Sequence, residues 1–228
     1  VVPRLLLLRT GVPPEIIESA SRGGEPVAVR FVAQSVFNQL CEAKSPQGVL
    51  AVFDLPEPRV RWTKAPLVLI TDGLRNPGNF GSLLRSAAGA GVTAAFTSHG
   101  TVDAYNGKSV RAAMGAHFRL PIVKLDDGQT QNIESRCDQI LLADIGALTR
   151  YDHVDWTLGT ALIISSEATG PSSWAQTIAT GTVRIPLSRN VESLNAAVAG
   201  SIMLFEAARQ RGENARELLK KSSVGGKR

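Results

Sequence analysis

Leu67-Val-Leu-Ile-Thr71-Asp-Gly-Leu-Arg-Asn-Pro-Gly-Asn79-Phe-Gly-Ser-Leu-Leu-Arg85 decides the fold class. Its opening run, Leu67 to Thr71, has the pattern of a parallel strand buried on both faces. The loop from Asp72 to Ser82 holds three glycines and leads into Leu83–Ala90, which has helical spacing. The alternation then repeats. Val92–Thr97, Leu120–Val123, Gln139–Ile145, Ala161–Ser165 and Val183–Leu187 are predicted strands, and Ser109–Gly115 is a predicted helix. Ser193–Gln210 is a long predicted helix with Leu194, Ala197, Val198, Ile202, Phe205 and Ala208 in one apolar stripe. This order predicts a doubly wound α/β domain, a mostly parallel sheet with helices on both faces.

Upstream, Val2–Leu8, Val27–Phe31 and Gly48–Phe53 are predicted strands, with a short helix opening at Pro13-Pro14-Glu15 and another over Ala33–Cys41. They make a small α/β unit over residues 1–56. Residues 57–65, with prolines and cations, read as a linker. Residues 66–214 form the main domain, and residues 215–228, charged and glycine-bearing, are expected to be a mobile basic tail. The start at Val1 rather than Met implies a natural start further upstream.

The chain has 228 residues, 43% hydrophobic and 20% charged, as in ordinary globular proteins. No apolar run is long enough to span a bilayer. Leu5–Leu8 is short and lies between Arg4 and Arg9, a poor fit to a secretory signal. Cys41 and Cys137 imply neither a disulfide framework nor a metal site, and a reducing compartment is expected. The net charge of +5 divides into +2 over residues 1–64, −1 over 65–214 and +4 over 215–228. The basic excess is therefore mostly terminal and says little about the folded surface.

Three segments place polar groups where strands run out into loops, the ends at which open α/β sheets bind ligands. In the first, Asn79 either caps the helix or faces a ligand. Arg85 either lays its stem along Leu83, Leu84, Ala87 and Ala88 or reaches into a site. The loop is neither a Walker A loop nor a G-x-G-x-x-G fingerprint, which disfavours a nucleoside triphosphate or NAD. In the second, Ser165-Ser-Glu167-Ala-Thr-Gly170, Glu167 either braces the turn or accepts hydrogen bonds from a ligand. In the third, Ile185-Pro186-Leu187 ends a strand. Ser193-Leu194-Asn195 then opens the long helix with one polar side chain more than a cap requires.

In this order these segments resemble the SpoU/TrmH family of RNA ribose 2′-O-methyltransferases. Asn79 and Arg85 match the family's first motif, Glu167 its second, and Ile185-Pro-Leu187 with Ser193-Leu-Asn195 its third. Lys108-Ser-Val-Arg-Ala-Ala-Met-Gly-Ala116 resembles a stretch between the first two. The likeness covers about Leu67 to Gln210. It departs at Ser165-Ser166 and Ala168, where glycine or alanine is usual around the Glu, and at Leu187 in place of Met. Residues 1–56 resemble an L30e-like RNA-binding module.

The resemblance implies a SPOUT domain with a C-terminal trefoil knot, a homodimer, S-adenosylmethionine as cofactor, RNA as partner, and neither a metal nor a membrane. It implies a catalytic set of Arg85, Asn79, Glu167, Ser193 and Asn195. Cofactor contacts would come from Thr97, Ser165, Ser166, Gly170, Ile185, Leu187 and Leu194. The implied reaction is methyl transfer to a ribose 2′-hydroxyl, with ribosomal RNA ahead of transfer RNA because of the L30e-like module. The rival is a non-catalytic RNA-binding or ribosome-assembly protein. The expected compartment is a bacterial cytoplasm or an organelle. Leu204 and Phe205, expected near an edge of the long helix, mark the candidate dimer contact.

Overall fold

The computed structural model describes residues 2–12, 27–41, 46–189 and 191–224, with side chains to residue 212. The chain divides into two compact units, Val1–Glu57 and Pro58–Arg228. In the first, β1 (Leu5–Arg9) pairs parallel with β2 (Ala28–Val32) and antiparallel with β3 (Val49–Val52). Leu6 and Leu8 bury on one face of β1, and Phe37 of α1 (Gln34–Leu40) is fully buried. The helix predicted at Pro13 lies outside the described residues.

The second unit is a six-stranded, all-parallel sheet. Its strands are β4 (Leu67–Asp72), β5 (Ala94–Thr97), β6 (Ile122–Lys124), β7 (Gln139–Ala143), β8 (Thr160–Ser165) and β9 (Gly181–Val183). Their order is β6-β5-β4-β8-β7-β9, so the winding reverses between β4 and β8. Every residue of β4 is buried. Side chains alternate along a strand, so Leu67 and Leu69 join the core on one face while Val68 and Ile70 join that on the other. On the first face lie α2 (Pro77–Gly89), α3 (Gly107–Ala113) and α6 (Ala196–Val224); on the second lie α4 (Asp127–Arg136) and α5 (Ser173–Ile178). Helices on both faces agree with the predicted class.

Several local expectations need correction. The cap of α2 is Asn76, not Asn79. The Asn76 side chain accepts from the amides of Gly78 and Asn79, and Pro77 supplies the preset first turn. Helix α4 has no counterpart among the predicted elements, because Ile133 is its one buried side chain. Helix α6 begins at Ala196 rather than Ser193 and continues past residue 214 to Val224.

The face of α6 that packs inward also differs from the predicted stripe. Ala196, Ala197, Met203, Leu204 and Ala207 are buried, whereas Val198 and Phe205 are about half exposed. Small residues face the sheet because the approach is close: a Cβ on Gly200 would stand 2.6 Å from Leu83 Cδ1 and 3.1 Å from Ile164 Cγ1. Leu204 is therefore core and not an edge residue.

Residues 57–65, read as linker, place Val60 and Trp62 against the second core. Trp62 stacks on Phe96 at 6.2 Å between ring centroids, with the Arg136 guanidinium 5.3 Å from the Trp62 ring. Arg211 of α6 donates to the carbonyls of Ala65, Trp156, Leu158 and Pro66. One guanidinium thus ties the last helix to the segments that enter β4 and β8.

Candidate active site

The carboxyl ends of β4 and β8 lie side by side at the reversal of winding, with Asp72 in register with Ser165. Beside them, an open cleft of about 250 Å³ is bordered by the ends of β7, β8 and β9 and by the start of α6. Of the residues singled out in the sequence, Ser165, Ser166, Glu167, Gly170, Ile185, Leu187, Ser193 and Leu194 line it. Thr97 does not. It ends β5 and lines a different hollow, with Tyr105 and Lys124. The cleft wall is largely apolar, through Ala143, Ile164, Val183, Ile185, Leu187, Leu194 and Met203.

Asp144, Glu167 and Arg184 also line the cleft. The Arg184 Nε is buried and meets no hydrogen-bond acceptor among the described residues. The amides of Ile185 and Leu187, two residues that line the cleft, donate to no described residue. An apolar slot with backbone donors suits a flat heterocycle.

Next to the cleft, the three segments join through side chains. Asn79 Nδ2 donates to Glu167 Oε1 at 3.4 Å, and Asn195 Nδ2 donates to Asn79 Oδ1 at 3.0 Å. Glu167 Oε1 also accepts the amide of Ala196, placing its negative charge at the positive end of α6. Asn195 Oδ1 accepts the amides of Ala197 and Val198, at 3.0 and 3.3 Å. Asn195 is therefore a helix cap and a member of the network at once. Asn79 and Glu167 thus brace each other, and Asn79 does not cap α2. Arg85 is exposed on α2 and has no hydrogen bond or ion pair with a described residue. Ser193 lines the cleft outside this network.

A family model for the SpoU rRNA Methylase family matches residues 66–205, more than half of the chain. The chain belongs to the SpoU family. Among its relatives, mouse rRNA methyltransferase 3, mitochondrial, is 34% identical, over 73% of this chain and 53% of that protein. The 23S rRNA (guanosine(2553)-2′-O)-methyltransferase RlmP of Bacillus subtilis is 30% identical, over 77% of this chain and 70% of that protein. The chain thus spans about half the length of the mouse protein. A crystal structure of the SpoU methyltransferase AviRb from Streptomyces viridochromogenes, in complex with AdoMet, superposes with a TM-score of 0.79. It is 27% identical, with 92% of this chain and 84% of that one covered.

Within this SpoU domain, Asp72 is the residue that sequence reasoning missed most clearly. It is 3% exposed. Oδ1 accepts from Ser98 Oγ at 3.1 Å; Oδ2 accepts from Ser165 Oγ at 3.1 Å and from the Ser172 amide at 2.8 Å. One buried carboxylate therefore holds the loops that follow β4, β5 and β8, including both ends of the segment that carries Glu167 and Gly170. Asp144 and Arg184 were missed too. No residue-type signal singles out Asp144 from other strand-end aspartates. Arg184 directly precedes Ile185-Pro186, and its proximity to that motif was the available clue.

Proposed function

We propose that this SpoU-family chain transfers a methyl group from S-adenosylmethionine to a ribose 2′-hydroxyl of RNA, and that its substrate is ribosomal RNA. The observation that carries this reading is the joining of Asn79, Glu167 and Asn195 beside the apolar cleft. The printed functions of the mouse and Bacillus relatives support the substrate class, and the AdoMet complex of AviRb supports the cofactor.

The residues fit that cofactor. Ile185, Leu187 and Leu194 offer apolar surface to an adenine, and the amides of Ile185 and Leu187 offer donors to its ring nitrogens. Asp144 and Glu167, both lining the cleft, are acidic residues that suit a ligand with two cationic centres. Bound there, the cofactor supplies a methyl group already made electrophilic by its sulfonium. The protein's task is then chiefly to orient the acceptor hydroxyl and assist loss of its proton.

Arg85 cannot be the proton acceptor, since a guanidinium stays protonated. Its role in this reading is to clamp charge at the acceptor, either the developing oxyanion or an adjoining phosphate. Asn79 holds Glu167 and Asn195 in place, and Glu167 is the carboxylate of the network. Ser193 completes the polar side of the cleft.

We also propose a homodimer through the exposed side of α6, where Val198 and Phe205 are about half exposed and Phe205 lies against Gly89 of α2. The trefoil knot would involve the Arg184–Asn195 connection that leads from β9 to α6. Residues 1–56 would add RNA affinity, and the compartment would be one that assembles ribosomes, bacterial cytoplasm or organelle.

The test combines the chain with methyl-labelled S-adenosylmethionine and ribosomal or transfer RNA. The expected result is label on a 2′-oxygen of ribosomal RNA. Arg85→Ala should lower turnover by about 10²–10³-fold while cofactor affinity stays unchanged. Near-normal turnover would remove Arg85 from the mechanism. Absence of cofactor binding in calorimetry would favour the non-catalytic rival, and labelling of transfer RNA alone would reassign the substrate.

A further inference from the structure

Lys108-Ser-Val-Arg-Ala-Ala-Met-Gly-Ala116 takes no part in the cleft, yet its setting is unusual. Residues 104–125 contain no Asp or Glu but carry Lys108, Arg111, Arg119 and Lys124. Over residues 65–214 as a whole, acids slightly outnumber bases. On the same segment Val110, Met114 and Phe118 are 39%, 70% and 50% exposed. Met114 has φ 47°, the only positive φ outside glycine among the described residues, and it ends α3 directly before Gly115. A left-handed non-glycine residue costs about 1–2 kcal/mol. The side chain at this position is 70% exposed and belongs to neither core.

The segment is also firmly attached to the proposed active site. A Cβ on Gly81 of α2 would fall 2.4 Å from the Ser109 carbonyl oxygen and 2.6 Å from Ala112 Cβ, so α2 and α3 meet backbone to backbone. Arg85 follows Gly81 by four residues, one turn along the same flank of α2. A cationic, partly apolar surface therefore adjoins the helix that carries Asn79 and Arg85.

We propose that α3 and the turn through Phe118 are a docking surface for single-stranded RNA flanking the target nucleotide. Bases would stack on Phe118 and against Met114, and Lys108, Arg111 and Arg119 would take phosphates. This pairing of aromatic or polarizable faces with cations is what sequence-tolerant binding of unpaired strands uses. A second copy of the chain suits the surface poorly. A two-fold contact would set Lys108, Arg111 and Arg119, on a segment that itself holds no Asp or Glu, against their own copies. The inference rests on the methyltransferase reading for its substrate, but its test does not depend on catalysis.

The experiment uses the full chain and a fluorescein-labelled, mixed-sequence single-stranded RNA of about 12 nucleotides, within the range that such surfaces engage. Anisotropy is followed over a KCl series, with calorimetry for S-adenosylmethionine and sedimentation run alongside. The R111E/R119E double variant should bind the RNA about tenfold or more weakly. Its log affinity should fall less steeply with log salt, by about 1.4 for two lost contacts at about 0.7 each. Phe118→Ala should cost about tenfold. Met114→Gly relieves the left-handed strain, so it should fold at least as well yet bind RNA less tightly. Cofactor affinity and sedimentation should stay as in the parent for all three.

RNA affinity at parent level in both the double variant and Phe118→Ala overturns the proposal. So does a change of oligomeric state in them, which would assign the surface to contact between copies. Failure of the parent chain to bind the probe at low salt overturns it as well. If the parent binds the probe, the variants lose it, and no methyl reaches any RNA, the docking surface stands and the catalytic reading fails.

Discussion

Replacing Asp72 tests whether one buried carboxylate shapes the cleft beside the ends of β7, β8 and β9. Asp72→Asn keeps the volume but offers a single acceptor oxygen. That oxygen must face the Ser172 amide, because two donors would otherwise meet. The bonds to Ser165 Oγ and Ser172 N then survive as neutral ones, and the new amide group faces Ser98 Oγ. Hydrogen bonds to a charged group contribute about 1.5–3 kcal/mol against about 0.5–1.5 for neutral ones. Two bonds each weakened by about 1 kcal/mol, partly offset because a charge is no longer buried, put the Asp72→Asn loss at about 1–2 kcal/mol.

Asp72→Ala strands all three donors at a site where the parent side chain is 3% exposed. At about 1–3 kcal/mol for each unmet group, and with Ser98 free to turn to its other acceptor, the His99 carbonyl, the loss is about 3–5 kcal/mol. For a chain of this size, 1 kcal/mol corresponds to about 2–4 °C in Tm, so the two variants should melt about 2–8 °C and about 6–20 °C lower. Because Ser165 and Ser172 bracket the loop that lines the cleft, calorimetry should show weaker binding of S-adenosylmethionine in the same order. Melting and cofactor affinity of D72A that both match the parent would refute this reasoning. A lowered Tm with unchanged affinity would confine Asp72 to stability.

Three further outcomes follow from packing and ionisation. Gly81→Ala places a methyl group against the backbone of α3 and should cost about 1–3 kcal/mol, read as a lower urea midpoint; an unchanged midpoint would show that the helices can part without penalty. Arg211→Met leaves the carbonyls of Ala65, Trp156 and Leu158 without this partner, and thermal melting should show a loss of about 3–5 kcal/mol. Burial, with Asp138 adding to it, pushes the Cys137 thiol up to about 12. The folded thiol then stays neutral where the unfolded one ionises, so stability should fall as pH rises from about 9, and iodoacetamide should modify Cys137 slowly at pH 8; rapid modification of the native protein would contradict this.

The sequence makes the strands of the main domain plain because β4 and β8 are buried on both faces and have little choice but to be continuously apolar. The cleft is legible for a related reason: Glu167 and Ile185 follow the ends of β8 and β9 closely, so naming the strand names the loop. What escaped depends on pairing across the sheet. Asp72 looks like any strand-terminal Asp until β8, 93 residues later, brings Ser165 opposite it. Helix α4 escaped because one buried side chain, Ile133, leaves no periodicity to detect. The inward face of α6 was misread because its contact surface is made of Ala and Gly, which a hydrophobic pattern undervalues beside Val198 and Phe205. Thr97 was placed at the cleft by family likeness alone, and its strand ends on the other side of the sheet's turning point.

The bond from Asn195 to Asn79 spans 116 residues, and the one from Asn79 to Glu167 spans 88. No shorter stretch of the chain contains the trio. On a ribosome, the site cannot assemble until α6 has emerged and come to rest on α2, long after the strand and helix bearing Asn79 have left the exit tunnel. Under the proposed methyl transfer, completing the trio would double as a signal that synthesis and folding have finished, and a half-made copy would have no means of marking RNA too early.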